Sequence, residues 1–219
     1  MRKYKSRPRK SSLNLEDFNM EQNSIINFNE PLVPRYPKIQ TKLVYAFKDG
    51  HPLTLDLITP PILPNVKAHF PLLIYVPDVD EHNMVKSDER FAQMLEIAKR
   101  GYAVALISYR TNSDVTAMVK DIHSATRFLL DHAFKYKLDP YRYLLFGEGL
   151  GGYLSSLSIL EQGQQRSNDE DVRRSPLRYK GGVLLETSLT PQPFSGPFLS
   201  ELLLQNTQKL PPILILNGT

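Results

Sequence analysis

Tyr143-Leu-Leu-Phe146-Gly147-Glu148-Gly149-Leu150-Gly151-Gly152-Tyr153 is the stretch that decides the fold. Tyr143 to Phe146 is an apolar run of strand length, Gly147 to Gly152 form a bend, and Tyr153 to Leu160 continue as a helix. A chain that turns from a strand into a helix over so few residues brings backbone against backbone, where only glycine leaves room. The turn lifts one residue, Gly149, out of the sheet at its carboxyl edge, with Glu148 before it and Leu150 after it.

Around this bend the chain alternates strand and helix patterns. Lys42 to Phe47, a turn at Asp49-Gly50 and Leu53 to Ile58 alternate with period two and predict a hairpin. Pro71 to Val76 and Tyr102 to Ser108 are continuous apolar runs, as expected of strands covered on both faces. Between them Phe91, Leu95 and Ala98 form one helical stripe, closed by Gly101 after Lys99-Arg100. Val115, Met118, Ile122, Ala125, Leu129 and Ala133 step by three and four, a longer amphipathic helix with Asp121, Arg127 and Asp131 on its other faces. Asp139-Pro140 reads as a turn, residues 161–178 as an exposed loop, and Gly182 to Leu185 and Ile213 to Leu216 as two more strands. This order predicts an α/β fold: a doubly wound, mostly parallel sheet with an antiparallel N-terminal hairpin.

Composition bounds the rest. The 219 residues are 41% hydrophobic, enough for one core, expected over residues 41–219. Residues 1–40 are polar and Pro-punctuated and read as a disordered basic tail. They hold eight of the 27 Lys/Arg and four of the 23 Asp/Glu, leaving nineteen of each for the remainder, so the excess charge of +4 belongs to the tail. No aromatic-basic interleaving accompanies it, and no nucleic-acid partner is expected. The chain has no apolar run long enough to span a bilayer and no apolar stretch after its basic start, so neither a membrane span nor a secretory signal is expected. The absence of cysteine excludes disulfides, thiol catalysis and thiolate metal sites, and fits a cytoplasmic protein.

Taken in order, several stretches resemble the esterase/lipase-like α/β hydrolases of the hormone-sensitive-lipase and carboxylesterase type. They are Leu55-Asp56-Leu57, Arg100 to Val104, Ser108-Tyr109-Arg110, Asp121 to Leu129, Leu138-Asp139-Pro140 with Arg142, and the Gly147–Gly152 bend. The resemblance runs from about Lys42 to Thr219 and implies that the bend is a nucleophile elbow. In that family the elbow reads Gly-x-Ser-x-Gly, with the serine as acyl-transfer nucleophile. Here Gly149 stands in the serine's place, and glycine has no oxygen for a base to activate. Glu148 lies one residue before the tip and is expected to point elsewhere; Ser155 and Ser156 read as packing residues on the helix. The family's glycine-rich oxyanion loop corresponds to Pro77-Asp78-Val79-Asp80, where a β-branched residue and two acids replace the glycines and a polar loop is expected. The resemblance also implies an acid after the Ile213–Leu216 strand and a histidine one strand later. The sequence stops at Asn217-Gly218-Thr219, so the last strand and helix of such a fold are expected to be missing. His51, His69, His82, His123 and His132 do not match the catalytic histidine in chain order; His123 and His132 are expected to be solvated.

No intact catalytic set, metal site or cofactor is therefore expected. Asp78, Asp80, Glu81 and His82 lack the spacing of a metal loop. Three functional classes follow: a degenerate ester hydrolase without catalysis; an active hydrolase with an unorthodox nucleophile or with sequence beyond residue 219; and a nucleotide-binding module on Gly147-x-Gly149-x-x-Gly152. For the first, a small apolar or ester ligand above the elbow and self-association through an exposed sheet edge are the expected partners.

Overall fold

The computed structural model describes residues 36–62, 68–79, 90–162, 176–187 and 210–217. In chain order its elements are β1 (Lys38–Lys48), β2 (His51–Thr59), β3 (Phe70–Val76), α1 (Phe91–Lys99), β4 (Ala103–Ile107), α2 (Val115–Asp131), α3 (Ala133–Tyr136), β5 (Leu138–Glu148), α4 (Leu150–Leu160), β6 (Gly182–Leu185) and β7 (Ile213–Leu216).

The seven strands form one sheet in the order β1-β2-β4-β3-β5-β6-β7. The β1–β2 and β2–β4 pairs are antiparallel, and all later pairs are parallel. Asp49 and Gly50 both take positive φ (51° and 78°), which suits the two-residue hairpin turn that matches strand twist. β1 begins at Lys38, inside the stretch read as tail, because it extends around a bulge between Gln40 and Leu43. There Lys42 takes a positive φ and its N–H donates to Asp56 Oδ1 at 2.7 Å.

β5 is also longer than the run Tyr143–Phe146 implies. Asp139-Pro140 lies within it, and a register irregularity opposite Phe70/Leu72 accommodates the proline. Ala133, read as the end of the long helix, belongs to the separate turn α3.

Both sheet faces are covered. α2 and α4 lie over one, burying Leu55, Leu57, Ile74, Ile107, Met118, Ile122, Leu129, Leu145 and Leu154. α1 lies over the other, with Met94 and Ala98 against Ile58, Leu73, Tyr75 and Val104. That two-sided cover is why β3 and β4 read as unbroken apolar runs. β7 forms one edge, with Leu214, Ile215 and Leu216 about half exposed. Among the described residues no helix is long and apolar enough to cross a membrane.

Candidate functional site

β5 ends in the middle of the sheet, with Val76 of β3 opposite Gly147 on one side and Leu184 of β6 opposite it on the other. Side chains along a strand alternate between faces. Tyr143 and Leu145 pack toward α2 and α4, and Gly147 shares their face; Leu144 and Phe146 pack toward α1, and Glu148 shares theirs. A Cβ on Gly147 would fall within 2.6 Å of Gly151 O, Gly152 Cα and Ser155 Oγ, so β5 and α4 meet there without room for a side chain.

Gly149 is the turning point. At φ 53° and ψ −120° it occupies backbone space that side-chain-bearing residues rarely enter. Its N–H donates to Leu185 O at 3.0 Å, and its carbonyl accepts from Tyr153 N–H at 3.2 Å. Helix α4 starts at the next residue, and Gly149 gives it no side-chain cap.

The cap comes from the segment that follows β3. Asp78 Oδ1 accepts the Leu150 N–H at 2.8 Å across 72 residues of sequence. A Cβ on Gly149 would lie within 2.5 Å of Asp78 Cγ and both its carboxylate oxygens. The carboxylate therefore stands where a side chain at position 149 would begin. Three neighbours hold it there. Tyr109 Oη donates to Pro77 O at 2.8 Å; Gly151, lacking a Cβ, lets the Val76 and Pro77 carbonyls lie against the first turn of α4; and Val79 is half-buried against the core. Pro77 to Val79 are thus not the plain polar loop that their composition implies, because the β3–β5 register carries Asp78 onto the elbow. Val79 does so without positive φ. Asp80, Glu81 and His82 lie outside the described residues.

Glu148 turns away from the tip, as its neighbouring position implies. Its carboxylate takes a two-pronged bond from Arg90, with Nε at 2.9 and 3.1 Å and the second nitrogen closing the fork. It also accepts Tyr75 Oη at 2.8 Å. The Glu148 hydrogen bond raises the Arg90 pKa further above its already high value. Arg90 precedes α1, so this pair ties the elbow to the helix on the opposite face. Glu148→Gln keeps the shape but removes the charge. With the Arg90 side chain 32% exposed and Glu148 12% exposed, water replaces part of the loss, and a decrease of about 1–2 kcal/mol in unfolding free energy is expected by denaturant titration.

Ser156 Oγ donates to Gly152 O at 3.0 Å, while the buried Ser155 and Ser158 hydroxyls have no partner among the described residues. Ser155 and Ser156 are buried on α4, as is Ser158. The histidines differ from expectation in one case. His123 is buried, with its ring 6.3 Å from Tyr179, because α2 is covered by α4 as well as by the sheet. His132 is half-buried, its Nδ1 2.8 Å from Phe128 O. His69 lies at the amino end of β3, opposite to the elbow, and His51 opens β2, three strand spacings or about 14 Å from β5. Neither His69 nor His51 is thereby carried to Gly149.

A second polar cluster was not legible in the sequence. Asp121, fully buried on α2, binds Arg110 through its backbone N–H and side chain at 2.8–3.0 Å, with Lys48 Nζ 3.6 Å away. Arg110 continues to Asp49 at 2.6 Å. The network joins the hairpin turn, the end of β4 and α2, and its charges are mutually paired, which suits a structural clamp. Among the described residues no group of His, Asp or Glu could hold a metal ion.

Comparison with known proteins gives this geometry its family. The chain matches the BD-FAE family profile over residues 55–181, more than half its length and spanning β2 through the elbow to the start of β6. A probable isoprenylcysteine alpha-carbonyl methylesterase of Arabidopsis thaliana (ICMEL2) is 26% identical over 148 residues, 65% of this chain and 33% of that protein. A second Arabidopsis protein of that description (ICMEL1) is 32% identical over 78 residues, 35% of this chain and 16% of its own length. The chain thus spans a third or less of these relatives. Among solved structures, Thermogutta terrifontis esterase 2 phosphorylated by paraoxon superposes with a TM-score of 0.66 at 18% identity, covering 84% of this chain and 71% of that one. The propionate-bound form gives 0.61 over 84% and 72%. These likenesses establish a shared fold. The chain belongs to the BD-FAE family, within the esterase-like α/β hydrolases.

Proposed function

We propose that this chain is a catalytically silent esterase-like α/β hydrolase, a fold kept for binding rather than turnover. The observation that carries the reading is the tip itself: Gly149 has no nucleophilic atom, and the space for one is filled by the Asp78 carboxylate. Acyl transfer needs an oxygen or thiol aimed by a base and a free N–H for the developing oxyanion. The Leu150 N–H is already bonded. On this reading the expected partner is a small apolar or ester ligand above the elbow. The nucleotide reading loses support for the same reason, since a carboxylate at the start of α4 opposes a phosphate there.

A second reading rests on that carboxylate. Asp78 places two oxygens beside the position of the family's nucleophile, so it, rather than Glu148, is the group an unorthodox mechanism would use. Hydrolysis of 4-nitrophenyl acetate by the purified chain separates the two readings. No turnover above buffer is expected. Turnover that disappears in Asp78→Asn would replace catalytic silence with a carboxylate nucleophile; turnover lost in Glu148→Gln but kept in Asp78→Asn would overturn both.

A further inference from the structure

We infer that Asp78 is an intramolecular plug, an internal ligand that closes the elbow to acyl-derived anions. The inference rests on the catalytically silent reading and gives it a mechanism. Two functions converge on one carboxylate. It fills the volume in which a side chain at 149 would start, and it occupies the N–H of the residue following the tip, the donor an active elbow offers to an oxyanion. The site suits an anion, because α4 is an 11-residue helix whose first turn presents unpaired N–H groups at the positive end of its dipole. Held by the Tyr109–Pro77 bond and by the close approach at Gly151, Asp78 meets this demand without a diffusible partner.

The plug and the glycine are mutually dependent. With the backbone as it stands, a side chain at 149 must displace the Asp78 carboxylate, so the two positions should behave as one unit. A plain helix cap would lose stability on removal of Asp78 but would show no steric coupling to position 149.

The test uses the full chain and two measurements. In thermal unfolding, Gly149→Ser should lower Tm by roughly 5–10 °C, from the positive φ at 149 and from displacement of the Asp78 carboxylate. Asp78→Gly should lower it by a few degrees, about the loss of a cap. The double variant should lose less than the sum of the two single losses, keeping only the positive-φ part of the Gly149→Ser cost; additive losses would overturn the plug. In the second measurement acetate is titrated while the Leu150 amide is followed by 1H–15N correlation. The wild-type signal should stay fixed, and Asp78→Ala should show a saturable shift. Asp78→Asn keeps the volume and an acceptor oxygen, retains the fold and should also stay fixed. A wild-type amide that responds to acetate, or an Asp78→Ala amide that does not, would overturn the inference. Ester turnover by the wild type would instead overturn catalytic silence, so the two failures are distinguishable.

Discussion

Gly151→Ala is expected to cost at least about 3 kcal/mol. In an exposed helix this substitution gains about 1 kcal/mol through propensity. Here the new Cβ would lie within 2.5 Å of the Val76 and Pro77 carbonyl oxygens, backbone atoms of the last residue of β3 and the one after it. Neither can rotate aside, so β3 and α4 must separate, and Leu154 and Leu157 lose their packing with them. Two other glycines calibrate the effect. At Gly152 a Cβ meets the Thr187 side chain, which can turn away, and about 1–2 kcal/mol is expected. At Gly50 nothing lies within 4 Å, and the cost is that of a positive φ, about 1 kcal/mol. Denaturant titration of the three variants should rank them 151, 152, 50 in order of loss. If Gly151→Ala is as mild as Gly50→Ala, the close approach that seats Asp78 does not exist.

The glycine at 151 also shows what could be read from sequence. The spacing Gly147-x-Gly149-x-Gly151 signalled a strand meeting a helix at close range, because no other residue type fits such a turn. Period-two alternation likewise placed Glu148 off the tip. What could not be read was which residue fills the tip. Asp78 reaches Leu150 only because β3 and β5 are parallel neighbours, with Val76 opposite Gly147. The resemblance matched Pro77 to Asp80 with the loop that serves the elbow, but that the Asp78 carboxylate caps Leu150 depends on the strand register. The burial of Asp121 and His123 was hidden for a related reason. A stripe of apolar residues marks the helix face toward the sheet, but α2 also packs against α4 and receives Arg110 from the end of β4. One-dimensional periodicity sees one covered face, while tertiary packing covered more.

Stability should fall steeply above about pH 10. Tyr109 and Tyr179 are 4% and 2% exposed, and burial drives both phenols far above their ordinary range, Tyr109 further through the nearby Asp78 carboxylate. Burial also pushes Tyr153 up to about 12. In the unfolded chain these groups ionise near pH 10, whereas the fold keeps them protonated. The contribution is therefore fully present below pH 10 and is lost as pH rises toward the folded values. By about pH 11 ionisation of Tyr109 and Tyr179 in the unfolded chain removes roughly 3 kcal/mol, a large part of a typical domain's stability. Tyr109 links this loss to the elbow, because its hydroxyl holds the Pro77 carbonyl. Tyr109→Phe deletes that bond and should be about 1 kcal/mol less stable than wild type at neutral pH. It also deletes one of the titrating groups, so its deficit should shrink and then reverse as pH passes about 11. Melting temperatures of both proteins across the alkaline range test this directly. Parallel curves that never approach one another would mean that Tyr109 is not buried as a neutral phenol beside Asp78.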